Sequence, residues 1–148
     1  MRAIARVLLA MGHHVSGSDR AGSIHLDELS ALGADVHVGH DPDKVTRSEC
    51  VTRSTAVPDS DPEVAAAQRQ GIPVYSRAEM LAAITTLRPA ILVAGTHGKT
   101  TTSAMLAVVL DHAGKDPSFV IGSDVDWFGT GARSVSYTHL TLPTIYPV

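Results

Sequence analysis

Ala90-Ile91-Leu92-Val93-Ala94 runs directly into Gly95-Thr96-His97-Gly98-Lys99-Thr100-Thr101-Thr102, and the reading of the fold turns on this stretch. The unbroken apolar run after Pro89 predicts a strand buried on both faces. The residues from Thr100 to His112, stopped at Gly114, predict a helix. A Gly-Lys-hydroxyl turn between a buried strand and a helix is the setting that a phosphate-binding loop requires. Glycines let successive N–H groups turn towards phosphate oxygens, and the helix N-terminus adds a favourable dipole. Lys99 brings a mobile positive charge for β- and γ-phosphates. Thr100 is placed to offer its hydroxyl to Mg²⁺, and Thr101 to donate to a phosphate. The loop is shorter than the common G-x-x-x-x-G-K-[ST] form, because Val93 stands where that form has its first glycine. A solvated Gly-Lys turn is the plain alternative; strand, glycines, lysine and three hydroxyls together argue against it.

Towards the N-terminus, short apolar strands alternate with helices. Residues 2–11 predict a helix with Ile4, Val7, Leu8 and Met11 on one face, although no start signal precedes it. Residues 14–18 predict a strand ending at Asp19, followed by a helix over 24–32, a strand over 35–38 and another over 49–53. Asp61 before Pro62 predicts a capped helix over 62–70. A strand over 72–75 follows, and Ser76 with Glu79 predicts a capping box on a helix over 77–86. This alternation means βαβ units and one parallel sheet, with the apolar positions read as core. A boundary is placed at residues 87–89, where a second sheet begins, and 118–122 predicts a further strand.

Composition narrows the function classes. The 148 residues are 44% apolar and 18% charged, which is globular usage. Net charge is -3 and pI about 6.2, so nucleic acid and anionic membrane are not expected partners. Cys50 is the single cysteine, which excludes an internal disulfide and a multi-cysteine metal site. It reads as a small buried hydrophobe heading a strand. Neither a membrane span nor a secretory leader is apparent, so a soluble cytoplasmic protein is expected. The eight histidines fit no metal motif by their spacing, and no metal set is expected from them. Asp59, Asp61 and Glu63 read as turn and cap residues rather than a catalytic pair. Without a G-x-G-x-x-G turn, a nicotinamide-dependent dehydrogenase is disfavoured.

Ala94 to Thr102 (AGTHGKTTT) resembles the ATP loop of the Mur ligases, the ATP-dependent amino-acid ligases of peptidoglycan biosynthesis. Colinear stretches extend the likeness over about residues 3–133: VSGSD at 15–19, Gly33-Ala34 with Gly39-His40, STAV at 54–57, Asp61-Pro62-Glu63, GIPV at 71–74, RAEML at 77–81, DPSFVIG at 116–122 and GTGAR at 129–133. His97 and the RAEML stretch resemble the members that add L-alanine to UDP-N-acetylmuramic acid. The members that recycle murein peptide share the histidine. The resemblance implies a Rossmann-like UDP-sugar domain over 1–87 and the start of the P-loop ATP-binding central domain over 88–133. It implies ATP and Mg²⁺ as cofactors, held by Gly95, Thr96, His97, Gly98, Lys99, Thr100 and Thr101. Within that set Lys99 is the catalytic cation and Thr100 the Mg²⁺ ligand. For His97 a contact to nucleotide or Mg²⁺-bound water and a loop-shaping hydrogen bond stand equally open.

The same resemblance implies UDP-N-acetylmuramic acid and L-alanine as substrates, joined through an acyl phosphate. The family begins with a strand and a Gly-rich turn that this chain is expected to lack, so its sheet is expected to miss the first strand. Ser18, Asp19, Ser54 and Thr55 are what the resemblance leaves of the UDP-sugar site. Asp19 also reads as a plain turn or capping aspartate. The amino-acid domain and the acidic Mg²⁺ ligands lie outside the resemblance, so the chain alone is expected to be inactive, and a non-catalytic nucleotide-binding module is the alternative. Residues 134–148 (SVSYTHLTLPTIYPV) carry no charge and no helical period, and read as a non-native tail resembling a translated sequencing adapter.

Overall fold

A computed structural model describes residues 1–135; the tail reading therefore lies, from residue 136, outside the described residues. Helix α1 (Arg2–Ala10) turns Ile4 and Val7 inwards, the face that the period predicts. The chain then forms β1 (Ser16–Asp19), α2 (Ile24–Ala31) and β2 (Asp35–Val38). Strands β1 and β2 run parallel, with Ser16 opposite Asp35 and Asp19 opposite Val38. A short α3 (Pro42–Val45), not expected from the sequence, is capped by Asp41, whose side chain accepts the Asp43 N–H. Strand β3 (Val51–Arg53) and β4 (Val74–Ser76) form a second parallel pair, linked through α4 (Pro62–Arg69). Asp61 caps α4 by accepting the Glu63 N–H. The predicted capping box opens α5 (Arg77–Thr86): Ser76 Oγ accepts the Glu79 N–H, and the Glu79 carboxylate accepts the Ser76 N–H. The Ser76 N–H, with the Ser76 hydroxyl adding to it, holds the Glu79 carboxyl below its ordinary pKa.

The first part is not one sheet. Among the described residues it holds two separate two-stranded pairs, β1–β2 and β3–β4. Doubly wound sheets order their strands 3-2-1-4-5, so a place between the second and fourth strands belongs to the first. No described strand fills that place, and hydrogen bonding cannot cross a gap of one strand. Side chains connect the pairs instead, chiefly through Glu63 on α4 (below).

The second part also departs from expectation. Residues 90–94 are not a strand; Ile91 and Leu92 are 69% and 76% exposed. An apolar run becomes a buried strand only when neighbours hydrogen-bond both its edges, and no described strand does so here. Helix α6 (Lys99–His112) forms as predicted. The predicted strand at 118–122 is β5 (Phe119–Val125), which pairs antiparallel with an unforeseen β6 (Thr130–Arg133). The hairpin packs against α6 on one side and α1 on the other. Phe119 and Phe128 stack with centroids 4.6 Å apart, and Arg133 lies over the Phe128 ring. Cys50 is exposed rather than buried, because it sits in the connection before β3 and not in the strand.

Candidate functional site

Gly95 (φ 155°) and Gly98 (φ 77°) take backbone conformations that side chains disfavour, and so bend the chain into α6. Gly98 is the N-cap and offers no side chain to the first turn. The first intrahelical bond from Gly98 is the one its carbonyl accepts from Thr102 N–H, at 2.9 Å. The N–H groups of Lys99, Thr100 and Thr101 are therefore the free donors of the helix start, facing outwards with the positive end of the dipole. Residues 95–101 are all exposed. Lys99 folds back over the loop, donating from Nζ to the carbonyls of Gly95 (2.5 Å) and Thr96 (3.1 Å). Those carbonyls are neutral acceptors, which an anionic phosphate outcompetes for a lysine. Thr100 Oγ1 lies beside Gly122 of β5, where a Cβ would meet it at 3.8 Å.

Gly122 also faces a cleft between α1, the start of α5 and the hairpin, lined by Arg2, Arg6, Arg77, Ser123 and Thr130. The sequence reading passed over these arginines, because Arg77 lies far along the chain from Arg2 and Arg6. Arg2 is committed: it grips Asp124 with Nη2 at 2.8 and 2.9 Å and reaches Glu28 at 3.2 Å. This bond holds the Asp124 carboxyl below its usual range, with the Gly131 N–H adding to the effect, and raises the Arg2 guanidinium.

Ser18, Asp19, Ser54 and Thr55 lie at or just after the carboxyl ends of β1 and β3, where open α/β sheets take their ligands. Asp19 is exposed, and its carbonyl accepts the Gly39 N–H. Ser54 Oγ accepts the Ala56 N–H at 3.3 Å, forming a turn in which Thr55 is exposed. Ser18 is otherwise engaged, donating from Oγ to Glu63 Oε2 at 2.5 Å. Among the described residues no hydrogen bond joins these four to the loop at 95–101. His40, Asp61 and Glu63 come together with ligand atoms within 4.8 Å of one another, a grouping that the sequence reading did not contain. No spacing rule finds a set that spans α3 and β3.

Known proteins match along most of the chain. The family model "Mur ligase family, catalytic domain" matches residues 1–88. UDP-N-acetylmuramate–L-alanine ligase from Oleidesulfovibrio alaskensis is 47% identical over 133 residues, 90% of this chain and 29% of that protein. The same-named ligase from Thiobacillus denitrificans is 48% identical over 133 residues, again 90% and 29%. The chain thus spans under a third of the length of these relatives. The crystal structure of UDP-N-acetylmuramate-alanine ligase MurC from Thermotoga maritima superposes with a TM-score of 0.81 at 30% identity, covering 89% of this chain and 31% of that one. The crystal structure of UDP-N-acetylmuramate:L-alanyl-gamma-D-glutamyl-meso-diaminopimelate ligase (MPL) from Neisseria meningitides gives a TM-score of 0.81 at 34% identity, covering 90% of this chain and 42% of that one. The fold, the relatives and the family match over residues 1–88 agree, and the chain belongs to the Mur ligase family.

Proposed function

We propose that this chain is the UDP-sugar- and ATP-binding part of a ligase that joins L-alanine to UDP-N-acetylmuramic acid in peptidoglycan synthesis. The observation that carries the reading is the exposed Gly95–Thr101 turn at the start of α6, with its free N–H donors and Lys99. Domains divide at residues 87–88 in this reading. ATP, when bound with Mg²⁺, supplies the phosphoryl group that activates the substrate carboxylate as an acyl phosphate. The chain's own part is positioning and charge neutralisation, which is most of what phosphoryl transfer needs. The N–H groups of residues 99–101 hold phosphate oxygens, and Lys99 leaves the Gly95 and Thr96 carbonyls to follow the charge. Thr100 offers its hydroxyl to Mg²⁺ on the side facing Gly122. Arg6 and Arg77, across Gly122 from the loop, suit an anionic substrate approaching the same point.

Nothing among the described residues crosses a membrane as a long apolar helix. Water-soluble substrates of this kind fit a cytoplasmic site of action. The murein-peptide recycling activity is the second reading, favoured by the equal TM-score of the Neisseria structure. Arg77-Ala78-Glu79-Met80-Leu81 supports the first, because that stretch resembles the alanine-adding members.

Calorimetry with ATP and Mg²⁺ tests the loop. Lys99→Ala should weaken binding by at least about tenfold, the loss of one charge-assisted contact; equal binding by both chains would remove the phosphate-loop reading. ADP release by the 148-residue chain, dependent on L-alanine and the UDP-sugar, should be undetectable. A measurable rate would show that the reaction needs nothing beyond these residues.

A further inference from the structure

The cluster around Glu63 is built from both halves of the split sheet. His40 follows β2, Ser18 lies near the end of β1, and Asp61 and Glu63 stand at the cap and first turn of α4 beside β3 and β4. His40 Nδ1 lies 3.4 Å from Asp61 Oδ2 and 3.6 Å from Glu63 Oε2. Tetrahedral Zn²⁺ with bonds of about 2.0–2.1 Å holds neighbouring ligand atoms roughly 3.4 Å apart. The two distances from His40 are therefore close to a tetrahedral edge, and all three ligand atoms lie within 4.8 Å of one another.

Charge points the same way. The Asp61 side chain is 4% exposed, and that of Glu63 17%. Two carboxylates held this close favour a positive charge between them. No Lys or Arg pairs with either among the described residues; their ion-pair neighbours are His40 and His37. Each carboxylate is also pre-aimed. Asp61 Oδ1 is occupied by the Glu63 N–H at 3.0 Å, which leaves Oδ2 for the cluster. Glu63 Oε1 accepts the Asp41 N–H at 3.0 Å, and Oε2 accepts Ser18 Oγ–H. Such outer contacts are how ligating carboxylates are oriented. His37 belongs to the same cluster: its ring nitrogens are buried without a hydrogen bond, and Nε2 makes an ion-pair contact with Glu63 Oε1 at 3.5 Å.

We propose that His40, Asp61 and Glu63 bind a zinc-type divalent cation, with a fourth position open to solvent beside the partly exposed His40. An imidazole nitrogen with two carboxylates suits Zn²⁺, whereas Mg²⁺ takes oxygen ligands and keeps its waters. The site is thus separate from the Mg²⁺ proposed at Thr100. Its effect is structural: the ion ties His40, after β2, to Asp61 and Glu63 at the start of α4. Ser18 acts there as a positioning residue for Glu63.

Metal titration of the chelator-stripped 148-residue chain decides the matter. Co²⁺ should bind at one equivalent with the visible absorption of a low-coordinate site, and Zn²⁺ should displace it. Zn²⁺ should also raise the midpoint of thermal unfolding. His40→Gln should lower affinity at least tenfold and abolish the thermal shift, while the paired His13→Gln, His14→Gln chain binds as the parent does. X-ray absorption at the zinc edge needs no variant and should show a shell of one imidazole nitrogen with oxygens. An undiminished affinity in His40→Gln, a loss in the His13/His14 control, or a zinc shell without imidazole would each overturn the proposal. So would failure of the parent chain to retain either metal.

Discussion

Among the described residues, 1–88 and 89–135 differ in how much apolar surface they bury. The first stretch supplies nine of the twelve buried apolar side chains, from Ile4 to Met80. The second supplies Ala107, Ile121 and Ala132, while Ile91, Leu92, Met105, Val109 and Trp127 stay exposed. Both contain helices with sound local signals. The difference is in tertiary partners: α4 lies on β3 and β4 and against α3, whereas α6 has the hairpin on one side alone. Secondary structure can be specified locally, but burial needs an opposing surface. The hairpin is where the regions meet, through α1 and the Arg2–Asp124 pair.

The largest effect should come from breaking that joint at its apolar centre. Ile4 is 3% exposed, on the helix that faces both α2 and the hairpin. Ile4→Ala should cost about 2–5 kcal/mol, the range for an aliphatic core truncation. Urea unfolding followed by far-UV circular dichroism measures the loss. Trp127, the single tryptophan, reports the second region separately. Both signals should shift together, because α1 supports the hairpin. A tryptophan transition that stays in place while the dichroism moves would show that the regions unfold independently.

What was legible in the sequence divides along the same line. Caps need residues three apart, so Ser76 with Glu79 and Asp61 before Pro62 could be read directly, and the structure has both. The phosphate loop was legible for the same reason, since its glycines, lysine and helix are contiguous. The strand at 90–94 was misread because periodicity reports what a segment could bury, not whether neighbours are there. The cluster at Glu63 was missed for a related reason. Asp61 was correctly read as a cap through one oxygen, but its other oxygen meets His40 across two intervening elements. The split of the first sheet into β1–β2 and β3–β4 was not legible, because alternating strands and helices report βαβ units and not which strands are neighbours.

A smaller effect should appear at the polar edge of the joint. Asp124 is held ionised by Arg2 and the Gly131 N–H, so its folded pKa lies below its unfolded value. Its contribution is therefore complete above the unfolded pKa of about 3.9 and lost as pH falls through the lower folded one. Asp124→Asn keeps an oxygen for Gly131 but loses the charge. The difference in unfolding midpoint between parent and variant should be constant from neutral pH to near pH 5, by that reference value, and close below it. A difference that does not shrink at all as pH falls below the unfolded value would remove Arg2–Asp124 as the acid-sensitive contact.

The smallest effect should be at Leu92. In a strand buried on both faces, a polar residue there would cost several kcal/mol, as burying an unpaired hydroxyl and losing a core leucine both do (about 2–5 kcal/mol for the truncation alone). At 76% exposure there is little burial to lose. Leu92→Ser should therefore change unfolding free energy by less than about 0.5 kcal/mol, as exposed substitutions do. Its effect should instead be on association. Ala90 to Ala94 is an apolar, uncharged run with unpaired backbone on both edges, which is a template for pairing between copies. Sedimentation velocity across a concentration series should show less self-association for Leu92→Ser than for the parent chain. A stability loss above about 2 kcal/mol, in the range of a core truncation, would mean that residues 90–94 are paired and buried in solution, and the contrast between the two regions would then fail at its sharpest point.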